Sequence, residues 1–128
     1  MRQFIMIIEN AAAMLNVETE IRHLQQEVAE FGIDLAVRFD PPILWLDRVK
    51  RSNGPPGAGK RALFRLFALA DVHHLPIHAV VEDYPAVASL LSYYESLGFE
   101  IVSEPEYDWE DEEPGEGNKT YEIVRQPA

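Results

Sequence analysis

Three features of the chain predict an α/β fold built on a mixed, mostly antiparallel sheet. Apolar residues alternate with polar ones from Ile33 to Phe39, and after Asp40-Pro41-Pro42 a second apolar run, Ile43 to Val49, is placed to pair back on the first as a hairpin. Elsewhere apolar residues recur at three- and four-residue steps, in Asn10 to Gly32, Ala62 to Leu75 and Pro85 to Phe99, which is the period of a helix with one buried face. Gly and Pro stand where one period gives way to the other. The predicted order is strand, helix, hairpin, helix, strand, helix, strand, strand.

Gln3-Phe4-Ile5-Met6-Ile7-Ile8 is an apolar run of strand length. The helix after it places Val17, Ile21, Leu24, Val28 and Phe31 on one face, with Asn16 as a cap or kink and Gly32 as its stop. The hairpin follows, and its second strand carries Asp47 near the end. A polar turn, Arg51 to Lys60, opens into a helix with Ala62, Leu63, Leu66, Phe67, Leu69 and Ala70 on one side. Pro76 starts a strand, Ile77 to Val81, and Asp83 or Tyr84 caps the next helix, with Pro85 in its first turn. Val87, Leu90, Leu91, Tyr94 and Leu97 share a face of that helix, and Gly98 ends it. Phe99 to Val102 and Thr120 to Val124 form a closing strand pair.

The 128 residues suit a single domain, 1–128, with one core. The net charge of −11 is mostly local: residues 104–117 hold eight acids and no base, which leaves 14 acids against 11 bases elsewhere. A chain of this sign repels phosphates, so neither nucleic acid nor an anionic membrane is an expected partner. No run approaches a membrane span, the start lacks the pattern of a signal peptide, and cysteine is absent, so a cytoplasmic location is expected. His73 and His74 adjoin a helix C-terminus without partners at metal spacing and read as surface residues.

The turn Gly54-Pro55-Pro56-Gly57-Ala58-Gly59-Lys60-Arg61 has the layout of a phosphate site. Glycines at a helix start let a ligand approach the backbone, where free N–H groups and the positive end of the helix dipole favour an anion. Lys60 and Arg61 add to that sign. Gly54-x-x-x-x-Gly59-Lys60 also fits most of a Walker A loop, but Arg61 stands where a hydroxyl would hold magnesium, so P-loop nucleotide binding is a remote reading.

A second resemblance covers more of the chain. Val49, then Gly57-Ala58-Gly59 and an apolar helix, resembles the pyrophosphate-binding motif of the GNAT superfamily of acyl-CoA-dependent N-acyltransferases. Tyr94-Glu95-Ser96-Leu97-Gly98-Phe99 resembles that family's Tyr-Glu-x-Leu-Gly-Phe signature. The resemblance implies a GNAT-like fold and acetyl-CoA as co-substrate, held by Val49, Arg51, Gly54, Gly57, Ala58, Gly59, Lys60 and Arg61. It implies Tyr94, rather than Tyr93, as proton donor to the departing thiolate and Asp47 as general base, directly or through water, with no metal required. The acceptor would be an amine, such as a protein lysine, a polyamine or a small amine, drawn by the acidic segment.

The chain departs from that pattern in four places. Gly54 replaces the family's Arg or Gln, Pro55 and Pro56 remove two donors from the turn, Val87 replaces an Asn, and the N-terminal part is short. Arg51 is placed to supply the missing cation. These departures keep open a non-catalytic alternative, a binding or inhibitor protein whose acidic segment engages a basic partner. Monomer and homodimer both remain open.

Overall fold

The computed structural model describes the backbone of residues 2–83, 90–102, 106–107 and 119–128, and the side chains of 15–81, 90–102 and 120–128. Its first element is one long helix, α1 (Arg2–Glu30). The strand expected over Gln3 to Ile8 does not form. An apolar run of that length suits either period, and no Gly or Pro separates it from the helix behind it, so helical bonding continues through. Val17, Ile21, Leu24 and Val28 are buried as expected. Phe31 is not: it stands 46% exposed just past the helix, under the guanidinium of Arg65. Gly32 adopts the left-handed conformation, φ 79°, that stops the helix.

The hairpin follows as β1 (Ile33–Asp40) and β2 (Ile43–Arg51), joined antiparallel. Ala36 lies opposite Arg48 and Val37 opposite Leu46, so Asp47 has no partner and forms a β-bulge. At the same level α1 covers the outer edge of β1, where the Val37 N–H donates to Gln25 Oε1 at 2.9 Å. That bond satisfies a donor that the sheet edge leaves over.

The remaining elements are α2 (Ala58–Val72), β3 (Ile77–Asp83), α3 (Leu90–Ser96), β4 (Glu100–Ile101), β5 (Glu106–Tyr107) and β6 (Lys119–Arg125). The strands form one six-stranded sheet in the order β1-β2-β3-β6-β4, with β5 also on β6. Only β2 and β3 are parallel, so the predicted mixed, mostly antiparallel sheet is present and the parallel sheet of a P-loop domain is not. The expected first turn of the third helix, Tyr84 to Val87, lies outside the described residues, as does most of the acidic segment.

The pleat divides the sheet into unlike faces. Leu35, Leu44, Leu46, Ile77, Ala79, Val81 and Ile123 point to one side and are buried against Val28 of α1 and Leu63 and Leu66 of α2. Each large apolar side chain among them contributes about 1.5–3 kcal/mol. α3 stands on the same side, since Tyr94 packs on Phe99 and Phe99 on Phe67 of α2, with ring centroids 5.5 and 5.8 Å apart. Arg38, Trp45, His78 and Val80 point the other way and are half-buried or exposed.

Candidate active site

The site begins where two parallel strands part. β2 and β3 pair only over Leu44 to Leu46 opposite Ile77 to Ala79. Beyond that point β2 continues to Arg51 on β1, and β3 continues to Asp83 on β6. The sheet opens into a cleft between them. Both strands turn backbone N–H and C=O groups into this cleft, so an extended ligand with amides of its own can pair there as a strand would. Clefts at the carboxyl ends of diverging parallel strands are the usual ligand sites of open sheets. Asp47 and Val49 lie on the diverging part of β2.

The phosphate loop follows β2 directly and leads into α2. Gly57 takes φ 86°, a left-handed conformation, and α2 begins at the next residue with no side-chain cap. The Ala58 N–H donates to the Pro55 carbonyl at 3.1 Å, and the Arg61 N–H closes the first helical bond on Gly57, also at 3.1 Å. The N–H groups of Gly59 and Lys60 meet no acceptor among the described residues. A Cβ placed on Gly57 or Gly59 would meet nothing within 4 Å. The loop therefore offers bare backbone, two free donors and a helix N-terminus.

The other predicted residues divide into two groups. Arg51 and Arg61 are exposed and ion-pair with no described acid, whereas Lys60 rests with its ammonium 5.6 Å from the Phe64 ring centre. Ala58 is buried and anchors the helix start in the core. Gly54 faces inward: a Cβ there would fall 2.3 Å from the Phe31 carbonyl oxygen, so this glycine lets the loop close on the turn after α1.

Tyr94 is 9% exposed, its ring packed edge-on between Phe99 and Tyr93. Burial first, and then Tyr93, push its hydroxyl above the usual tyrosine value, so it holds its proton through the neutral range. Asp47 is exposed at the bulge, and its carboxylate lies 3.4 Å from Arg38 Nε. Tyr94 thus belongs to the helix side of the sheet, and Asp47 contacts Arg38 of the opposite face.

One group escaped the sequence reading. On the face opposite the helices the Trp45 and His78 rings lie 5.1 Å apart, Arg38 stands 5.6 Å from the Trp45 ring centre, and His78 Nδ1 is 3.2 Å from Glu122 Oε1. Trp45 and His78 are opposite each other in the last stretch of parallel pairing, just below the point of divergence. The signal was there in the alternation: both occupy outward positions of their strands, where an aromatic pair is unusual without something to cover.

The arrangement of these elements is that of known proteins. The ribosomal-protein-S18-alanine N-acetyltransferase from Escherichia coli superposes with a TM-score of 0.61 and 13% identity over 76% of this chain and 62% of its own. A putative acetyltransferase of the GNAT family from Desulfovibrio desulfuricans gives 0.58 and 13% over the same shares, 76% and 62%. The NatC complex bound to Gag peptide and CoA gives 0.52 and 14% over 75% and 60%. This chain has the GNAT fold. It spans less than two thirds of the length of these GNAT structures. No family model matches the chain, and no curated protein does.

Proposed function

We propose that this GNAT-fold chain is an acetyl-CoA-dependent N-acetyltransferase that moves the acetyl group directly to an amine. The observations that carry the reading are the divergence of β2 from β3 and the unpaired Gly59 and Lys60 N–H groups at the start of the helix that follows β2. One ligand with an extended amide-bearing arm and an anionic end fits both halves of that site. The residues present suit such a ligand: Val49 borders the arm, Gly57, Gly59 and Lys60 offer backbone to the pyrophosphate, and Arg51 and Arg61 supply charge.

Acetyl-CoA, when bound, brings an activated thioester. The protein positions it and manages two protons. Asp47, directly or through an ordered water, takes the proton from the attacking amine on the face opposite the helices. Tyr94, kept neutral by burial, donates its proton to the departing sulfur from the helix side. The acceptor enters past Trp45 and His78, and the acidic residues between 104 and 117 favour a cationic amine such as a lysine side chain or a polyamine.

Calorimetry with acetyl-CoA and with ATP tests the binding half. Acetyl-CoA binds wild type and fails to bind Gly59→Leu, whose Cβ meets nothing within 4 Å and whose backbone is not left-handed. Binding of ATP in preference to acetyl-CoA, or of neither, defeats the proposal. If acetyl-CoA binds but no amine in a pool of lysine peptides and polyamines releases free thiol, the non-catalytic alternative stands instead.

A further inference from the structure

A cavity lies beside the phosphate loop and the first turns of α2. It has a volume of about 400 Å³ and is bounded by the end of α1, the turn at Asn53 and the first two turns of α2. α2 gives it Ala58, Arg61, Ala62 and Arg65, which share one flank of the helix. The flank that carries Phe67 and Asp71 faces Phe99 and Arg125 instead.

The lining combines an apolar floor with opposed charges. Ala58 and Ala62 are buried beneath it, and the Phe31 ring forms a wall that the Arg65 guanidinium holds from 5.3 Å. Arg65 is itself paired with Glu27 of α1, so its charge is answered. Two charges remain. Glu30, the last residue of α1, and Arg61 both line the cavity, yet they pair neither with each other nor with any other described residue.

We infer that this cavity binds a small zwitterion with an apolar side chain, of the size and charge pattern of a free amino acid, its carboxylate on Arg61, its ammonium on Glu30 and its side chain against Phe31 and Ala62. Such a ligand answers both open charges at once, which a simple anion or cation does not, and its carboxylate suits the two-pronged donor of an arginine. Its size agrees, since about 400 Å³ is at the small end of the range, about 300–1,000 Å³, of ligand sites. Arg61 is shared with the phosphate loop, so the test is run in the absence of acetyl-CoA.

Calorimetry or ligand-observed NMR with L-phenylalanine, L-phenylalaninamide and N-acetyl-L-phenylalanine tests it near neutral pH. The first carries both charges, the second only the cation, the third only the anion. The zwitterion binds about tenfold more tightly than either, the loss expected for one charge-assisted contact. Arg61→Gln and Glu30→Gln each weaken the zwitterion about tenfold, and Arg61→Lys, which keeps the charge, retains part of that affinity; both positions are exposed, so melting temperatures stay put. The inference is overturned if the single-charge analogues bind as well as the zwitterion, if none of the three binds, or if the variants bind as wild type does.

Discussion

The two ends of α2 and of the strands beside it behave as opposites. At the lower end β2 and β3 are hydrogen-bonded, Leu44 and Ile77 are 0% exposed, and the charged groups answer one another: Asp71 accepts from Arg125 at 2.9 and 3.1 Å and from the Ala128 N–H at 3.0 Å. At the upper end the same strands diverge, Val49 is only half-buried, and Arg51, Arg61 and the Gly59 N–H have no partner among the described residues. The contrast teaches where stability and where binding reside. Groups satisfied within the fold hold it together, and groups left over at the divergence are free to meet a ligand.

The largest test of that division is a pair of truncations in one strand. Leu44→Ala, in the closed half of β2, removes a fully buried side chain and should cost about 2–5 kcal/mol in urea denaturation. Val49→Ala, in the open half, should cost about 1 kcal/mol or less, because a half-buried side chain gives up less area and leaves no sealed void. Equal losses at the two positions would mean that the cleft is closed in solution.

Next in size are two variants of the expected site residues. Tyr94→Phe keeps the ring against Phe99 and deletes the hydroxyl, so kcat should fall on the order of 10²-fold with stability within about 1 kcal/mol. Because burial raises the Tyr94 pKa above its ordinary value of 10, deprotonation of this group should produce no loss of rate below that pH. An unchanged kcat removes Tyr94 as the donor and leaves Tyr93 or solvent. Gly57→Ala tests the loop more gently: its side chain has room but its backbone sits at φ 86°, so stability should drop by about 1–2 kcal/mol while acetyl-CoA binding weakens only in proportion to the displaced loop. Full stability in that variant would show that the left-handed turn relaxes in solution.

Much of this contrast was legible in the residues. The hairpin, the loop and the helix after it each declared a period and a boundary, and Gly57, Gly59 and Tyr94 could be singled out because their chemistry depends on local conformation or on one short signature. What stayed hidden depends on pairing between distant segments. The bulge that isolates Asp47 exists only in the register of β1 against β2, the cleft only in where β3 leaves β2, and the Trp45, His78 and Glu122 group only in a sheet that joins three strands. Gly54 was read as a ligand contact on the strength of its neighbours, but its space is taken by the Phe31 carbonyl, from a turn more than twenty residues earlier. Gln3 to Ile8 shows the opposite limit: a short apolar run carries no period long enough to choose between strand and helix.

The smallest expected effect belongs to the closed end and has a pH signature. The Arg125 hydrogen bond first, and then the Ala128 N–H, hold Asp71 below the ordinary aspartate range, with burial acting weakly the other way. A carboxyl whose folded pKa is depressed adds stability that is fully present above its unfolded value, about 3.9, and is lost as the pH falls through the folded value. Asp71→Asn should therefore cost about 1 kcal/mol at neutral pH, a modest figure because the pair is partly solvated. The gap between variant and wild type should begin to close below about pH 4 and vanish once Asp71 is protonated in the folded protein. Urea titrations at neutral and acid pH measure it. Acetyl-CoA binding at neutral pH should not change, since Asp71 lies more than three helical turns from the loop; if binding weakens along with stability, the two ends of α2 are coupled and the division between a self-satisfied end and a ligand end fails.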